Sequence, residues 1–432
     1  MASATQMFQT HNLPPLQERA LLVFIVFGGL ALRFLVIVLY GHAPESDELA
    51  YQSMALNLIS GGGVIDHMGN RAMYNAGYPL FVLTPSFLLA GNNLFAARIL
   101  NAILGVIAIF LCYGIAKEAG AGSVGKLLAA IFWAVYLPSI AYTVYLAKEN
   151  LMIPLMLLVV FFSIRLIRNP SYLLAVGCGA CLGLLALTGS SGIVLIFVAV
   201  LAVFISTIDI RTQLLLTVVL TLSMLAIASP WVIRNWMVLG SPVLNTNSGF
   251  NLYLGNNSSA TGRFISIADS PQANSWQELR SHGEITASET LTKEALLWIN
   301  DNPGQFLNLA LRKAVYFWTP PIHLGEGEGS NVEAVARMIW VVQFFLFVGA
   351  AVGTIFYSEL RARKALRVLW FSVLVYTAVH MLFYVIARYR LPIMPFICIM
   401  AALAIESVLR KYCHKKIDAS MHCIARSTED GK

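Results

Sequence analysis

The chain has 432 residues, of which 58% are hydrophobic and only 12% are charged, with a mean hydropathy of +0.72. Soluble domains carry about 25% charged residues, so a water-soluble globular protein is excluded. The net charge of +7 would suit a nucleic-acid binder, but in so apolar a chain it reflects the bias of bases toward cytoplasmic loops.

Apolar runs near 20 residues recur from end to end, and only helices or closed barrels satisfy the backbone inside a bilayer. In chain order the runs predict spans over 21–40, 96–116, 126–146, 150–167, 171–188, 191–208, 213–233, 337–357, 368–386 and 391–409. The first run lacks a small-residue cleavage pattern and is expected to remain as an anchor. The apolar segment 78–90 is short, and charge decides its status. If it does not cross, the inside loops hold Lys117, Lys126, Arg165, Arg168, Arg211, Arg361, Arg363, Lys364 and Arg367, and the tail adds Arg410, Lys411, Lys415 and Lys416. That distribution obeys the positive-inside rule. If 78–90 crossed, most of these bases would face outward.

The predicted fold is therefore an all-α polytopic membrane protein of about ten transmembrane helices, with interfacial helices in the first external loop. It divides into an N-terminal membrane module over 1–233 that includes the external loop 41–95, a long external loop over 234–336, C-terminal membrane helices over 337–410 and a basic tail over 411–432. A helical pattern is expected near 287–317. The six cysteines, Cys112, Cys178, Cys181, Cys398, Cys413 and Cys423, fall in apolar spans or the tail, which argues against a disulfide framework in the polar segments.

Five segments carry polar residues at the predicted external ends. Pro44-Glu45-Ser46-Asp47-Glu48-Leu49-Ala50-Tyr51 follows the first span. Ser46 suits an N-cap and the acidic pair suits the first turn of a helix. Asp47, Tyr51 and Ala55 share one face. Two readings fit Asp47: part of a helix cap, or a general base. Arg71-Ala72-Met73-Tyr74-Asn75-Ala76-Gly77-Tyr78-Pro79-Leu80 is either a turn before an interfacial helix, or a phosphate contact through Arg71 with Tyr78 shaping a pocket. Lys148-Glu149-Asn150 is a surface cluster or a second acidic site. Asn245 to Asn257, rich in Asn and containing Asn251, Tyr253, Asn256 and Asn257, offers the amides and flat rings that suit a sugar, though a turn-rich loop looks alike. Asn257-Ser258-Ser259 also fits a glycosylation sequon, a common match. Finally His380 and Arg388-Tyr389-Arg390-Leu391-Pro392 give either snorkelling anchors or a phosphate clamp. Lys148, Arg388 and Arg390 run against the charge rule, and binding an anion would explain them.

Together these segments resemble a known family. The motifs are Asp47-Glu48-x-x-Tyr51-x-x-x-Ala55, Gly77-Tyr78-Pro79-Leu80 before Ala96-Ala97-Arg98-Ile99-Leu100-Asn101, Pro230-Trp231-x-Ile233-Arg234-Asn235, the Asn-rich run ending in Ala260-Thr261-Gly262, Phe317-Trp318-Thr319-Pro320-Pro321, and Arg388-Tyr389-Arg390-Leu391-Pro392. Their order and spacing, over about 20–410, resemble the bacterial GT-C glycosyltransferases, most closely the family 39-like proteins related to protein O-mannosyltransferases and the lipid A aminoarabinose transferase. The chain departs from relatives at Thr188-Gly189-Ser190, where they often have Arg-Pro, and has no lysine near Gly77-Tyr78-Pro79.

The resemblance implies a membrane enzyme that takes a sugar from a polyprenyl-phosphate carrier and passes it, with inversion, to a glycan, lipid or protein acceptor. It implies a place in the inner (plasma) membrane with the active site on the extracytoplasmic face, and no nucleic-acid partner. Asp47, Glu48 and Glu149 are the catalytic candidates. Arg71, Lys148, Arg388 and Arg390 are the candidates for the donor phosphate, and Tyr51, Tyr78, Asn251, Tyr253, Asn256, Asn257 and His380 for sugar or acceptor. No cofactor is required by the pattern; a divalent metal is possible, with no ligand set visible. The rival classes are a transporter or flippase of lipid-linked sugars and a non-catalytic lipid-binding subunit.

Overall fold

The apolar runs fold as helices. The computed structural model describes residues 13–320 and 331–429 (side chains of 331–332 and 413–429 excepted), so Pro321 and the side chains of Cys413, Lys415, Lys416 and Cys423 lie outside the described residues. Among the described residues six helices are long and apolar enough to cross a membrane: α1 (Pro15–Leu39), α4 (Leu94–Glu118), α7 (Glu149–Arg168), α10 (Ile210–Leu239), α15 (Asn331–Gly353) and α18 (Met394–Glu429). Shorter apolar helices sit between them: α5 (Ser123–Ala134), α8 (Tyr172–Thr188), α9 (Leu195–Ile205) and α17 (Lys364–His380). Every predicted span but 126–146 thus corresponds to a helix, and the chain is an all-α, multi-pass membrane protein. Among the described residues there is no strand, only an isolated bridge between Arg263 and Val385.

The predicted span 126–146 is not one helix. It ends at Ala134, restarts as the one-turn α6 (Leu137–Ala141) with Pro138 in its first turn, and finishes in turns. The break frees backbone carbonyls. Arg98 on α4 donates to the carbonyl of Val144 at 2.8 Å and to that of His42. Asn101, one turn on, donates to Thr143 and Tyr145. These bonds hold the segment after α1 against the turn before α7.

Arg33 lies inside α1 and is fully buried. Its guanidinium donates to the carbonyls of Gly29 and Ala134 and to Ser139 Oγ at 2.9 Å, so it faces the bundle. A Cβ on Gly105 would stand 2.5 Å from Arg33 Nε. α8 and α10 also meet through glycine: a Cβ on Gly179 would lie 2.2 Å from the Leu220 carbonyl oxygen, and one on Gly183 2.7 Å from that of Met224.

The bundle has two chemically different ends. At one, Glu18 pairs with Lys126 at 2.6 Å, Glu118 with Arg168 and Glu406 with Arg410, while Arg363 donates to Ala119 and Gly120. At the other lie α2 (Asp47–Ile59), α3 (Thr84–Ala90) behind a π-helical turn Pro79–Leu83, and the polar helices α11 (Asn247–Gly255), α12 (Trp276–Ser281), α13 (Glu284–Asp301) and α14 (Pro303–Trp318). The helical pattern expected near 287–317 is α13 and α14, parted by Asn302-Pro303. A short α16 (Ser358–Arg361) completes the set.

Candidate active site

Three charged side chains meet where α1, α7 and α18 approach the polar end. Asp47 opens α2, Glu149 opens α7, and Arg388 lies in the 3-10 turn Ala387–Ile393 that leads into α18. Arg388 Nη2 donates to Asp47 Oδ2, and its Nε lies 3.9 Å from Glu149 Oε1. Glu149 is 3% exposed; Asp47 and Arg388 are partly open to solvent. Asn150 fixes the turn before α7 by donating to Tyr142, Tyr145 and Ala147. The result is a guanidinium clasped by two carboxylates at the rim of a membrane bundle.

Tyrosines wall this cluster. Tyr51 is one turn beyond Asp47 on α2, and its ring packs edge-on against Tyr74 and Tyr78, each at 5.7 Å. Tyr74 lies beside Asp47, close enough to feel its charge. Burial first, and the charge of Asp47 second, push the Tyr51 and Tyr74 phenols above their ordinary range, so both remain proton donors. Tyr78 is fully buried and donates to Asn101 Oδ1 at 3.0 Å. It props the Tyr51 ring from behind.

The other candidates divide sharply. Glu48 points away from Arg388: both its oxygens lie 3.1 Å from His42 Nε2. Burial raises its carboxyl above the usual range, and His42 partly offsets that. Ser46 does not cap α2 through its hydroxyl; it sits at φ 49° with no side-chain cap bond. Lys148 is half-buried beside Glu149 and makes no ion pair among the described residues. Arg71 is exposed and borders a separate cavity of about 650 Å³ with Trp231 and Arg234; neither Asp47 nor Arg388 lines it. Arg390 is 2% exposed. It donates to the carbonyls of Phe317 at 2.5 Å and Thr319, and lies over the Phe344 ring. That guanidinium braces α14 against α15 and α18.

The Asn-rich run corrects an expectation. Asn256 is fully buried; its amide donates to Leu252 and Leu382, and its Oδ1 accepts from Lys313 Nζ at 2.9 Å. Asn257 donates to the Tyr253 carbonyl, and Tyr253 is itself buried. These amides tie loops to carbonyls and are not presented to a sugar; the burial of Asn257 also removes it as a sequon. Asn251 alone reaches toward the site, accepting from Tyr384 at 3.2 Å. His380 is stacked among Phe317, Tyr376 and Tyr389 with Nδ1 bonded to the Tyr376 carbonyl, so it is a packing element.

Beside the cluster runs a cavity of about 500 Å³, bordered by Tyr136, Leu137, Ala141, Tyr142 and Trp340 and by three arginines, Arg337, Arg388 and Arg390. A metal fits less well. Among the described residues no three His, Cys, Asp or Glu side chains converge, and Arg388 already stands between the two carboxylates, so no chemistry is derived through an ion.

Residues 78–233 match the family described as dolichyl-phosphate-mannose-protein mannosyltransferase. No curated protein matches the chain in sequence. Among solved structures, the oligosaccharyltransferase AglB from Archaeoglobus fulgidus, in complex with an inhibitory peptide and a dolichol-phosphate, is 14% identical, with a TM-score of 0.53 over 94% of this chain and 52% of that one. Its apo form gives 13% identity and a TM-score of 0.57 over 94% and 52%. ArnT from Cupriavidus metallidurans bound to undecaprenyl phosphate is 19% identical over 90% and 77%, but its TM-score of 0.46 adds no weight. The chain spans about half the length of the oligosaccharyltransferase it matches. Residues 78–233 are thus similar to the protein mannosyltransferases, and the chain as a whole shares the fold of the archaeal oligosaccharyltransferase.

Proposed function

We propose that the chain is a membrane glycosyltransferase that moves a sugar from a polyprenyl-phosphate donor to a cell-envelope acceptor, in one inverting displacement. The observation that carries this reading is the Asp47–Arg388–Glu149 cluster at the mouth of an apolar cavity. A lipid-linked donor needs both parts: an apolar wall for the isoprenoid and a cation for the phosphate. AglB, whose fold the chain shares, holds a dolichol-phosphate, which supports a carrier of this class here.

In this mechanism the isoprenoid lies along Leu137, Ala141 and Trp340, and the phosphate meets Arg388. Guanidinium suits phosphate geometry and keeps its charge. The acceptor hydroxyl oxygen attacks the anomeric carbon, its proton passes to Asp47, and the bond to the phosphate oxygen breaks with its electrons left on the departing polyprenyl phosphate. Arg388 stabilises that charge. An arriving phosphate competes with Asp47 for the same guanidinium, so donor binding releases the base it needs. Glu149 keeps Arg388 in place during the exchange. The bases Lys126, Arg168, Arg363 and Arg410 gather at the opposite end of the bundle, and by the positive-inside rule this supports a cluster on the extracytoplasmic face, in this reading that of the inner (plasma) membrane.

The test is transfer from a radiolabelled polyprenyl-phosphate sugar in proteoliposomes. Asp47→Asn is expected to lose at least a hundredfold in rate while remaining folded and inserted. Wild-type turnover in that variant refutes the role of Asp47. A protein that moves label across the bilayer without releasing carrier phosphate is a flippase.

A further inference from the structure

Tyr74 has two faces. One packs on Tyr51 beside Asp47, whose charge acts on the Tyr74 phenol. The other borders a second cavity, about 200 Å³, between the segment after α2 and the helices α11, α12 and α13. Asp47 therefore links two spaces: Arg388 borders the apolar groove, and Tyr74 borders this one. A base that serves an acceptor needs a second space of this kind beside the donor groove.

Its walls are specific. Phe250 and Trp276 form an aromatic pair with ring centroids 5.5 Å apart and planes inclined at 49°. Asn70 and Ser288 supply polar edges, and Arg280 lines the same cavity. Glu284 lines it too, but its carboxylate is spent on the fold: Oε1 accepts the backbone N–H of Arg71 at 2.8 Å, and Oε2 accepts that of Ala72 and the Thr246 hydroxyl. Arg280 makes no ion pair among the described residues. The cavity thus offers flat apolar faces, amide and hydroxyl edges and one uncommitted guanidinium. Its volume is below the roughly 300–1,000 Å³ of drug-sized ligand sites, which suits one ring and excludes an extended peptide. Aromatic faces take the apolar face of a pyranose, and a guanidinium takes a carboxylate or phosphate.

We propose that this cavity is the acceptor subsite and that it takes a single anionic sugar ring, with its charge on Arg280, its apolar face on the Phe250–Trp276 pair and its nucleophilic hydroxyl directed past Tyr74 to Asp47. The assignment rests on the glycosyltransferase reading for the word acceptor, but the binding it predicts does not. Saturation-transfer NMR on the full chain in nanodiscs, with glucuronate, glucose 6-phosphate and glucose as probes, reads it directly. At least one charged sugar is expected to bind saturably and at least tenfold more tightly than glucose, and the tighter of the two names carboxylate or phosphate as the source. Arg280→Gln should erase that preference, and Trp276→Ala should weaken every probe. Glucose binding as well as both charged sugars, an unchanged preference in Arg280→Gln, or no saturable binding overturns the subsite. If the wild-type protein transfers sugar yet fails these binding tests, the subsite falls alone; if it binds them and transfers nothing, the glycosyltransferase reading falls.

Discussion

Arg388 is hydrogen-bonded to Asp47 and stands 3.9 Å from Glu149, and one guanidinium cannot serve two carboxylates and a phosphate with equal geometry. The planar fork permits a bidentate hand-over that an ammonium cannot copy. Arg388→Lys is therefore expected to lower kcat/KM for transfer by about a hundredfold, in the range for removing one stabilising donor, with the fold retained. Glu48→Gln should change it by less than about tenfold, because Glu48 answers to His42 rather than Arg388. Equal damage from Glu48→Gln and Asp47→Asn would show the roles assigned to the two neighbours to be wrong. At this scale the sequence was legible in part. Charge-rule violations point to Lys148, Arg388 and Arg390, and of these only Arg388 meets Asp47 and Glu149. Tyr74 was invisible as a site residue, since its approach to Asp47 spans 27 positions with no shared periodicity. Asn256 and Asn257 misled because an amide that binds sugar and one that ties down a carbonyl have the same letter.

Helices were more legible than the joints between them. Apolar runs near 20 residues announce a span because a bilayer demands that length. Hydropathy does not see the break at Val135-Tyr136, since both sides of it are apolar, and yet the turns that follow it, at Thr143 to Tyr145, present the carbonyls that Arg98 and Asn101 grasp. Packing contacts are legible only where the residue type is extreme. Gly179 and Gly183 stand one turn apart on α8, and the spacing allows α10 to approach closely. Gly183→Ile places a side chain against Ile227 and the Met224 carbonyl. It is expected to lower the thermal midpoint in detergent by several degrees, in line with the roughly 1–3 kcal/mol cost of overpacking. Gly28→Leu on α1 is the matched control, because a Cβ there meets nothing within 4 Å. Equal loss from the two would mean that α8 and α10 do not depend on this close approach.

Across the whole molecule, the polar helices α11 to α14 are fastened to the bundle by a few buried polar contacts. Asn256 joins α11 to the Leu382 carbonyl beyond α17, the Val385 N–H donates to Gly262, and Arg390 reaches the end of α14. Lys313 lies within this seam, fully buried with Asn256 Oδ1 as its partner, and desolvation lowers its pKa to about 8. An unfolded lysine titrates near 10.4. Between these values the unfolded chain binds more protons, so this group makes stability rise with pH from about 8 to about 10.4. Below pH 8 the lysine is charged in both states and the full penalty of about 3 kcal/mol applies. Lys313→Met removes the penalty and also leaves Asn256 Oδ1 without its donor, a cost of about 1–3 kcal/mol that does not vary with pH. The absolute midpoint of the variant is therefore set by two opposing effects, but its pH dependence is not. Relative to wild type, Lys313→Met should be more stable at pH 7 than at pH 10 by about 2 kcal/mol. Thermal unfolding of both proteins in one detergent across that range measures the difference, with the remaining titrating groups common to both. A difference that stays constant with pH would mean that Lys313 is hydrated in the folded protein and that the seam admits water.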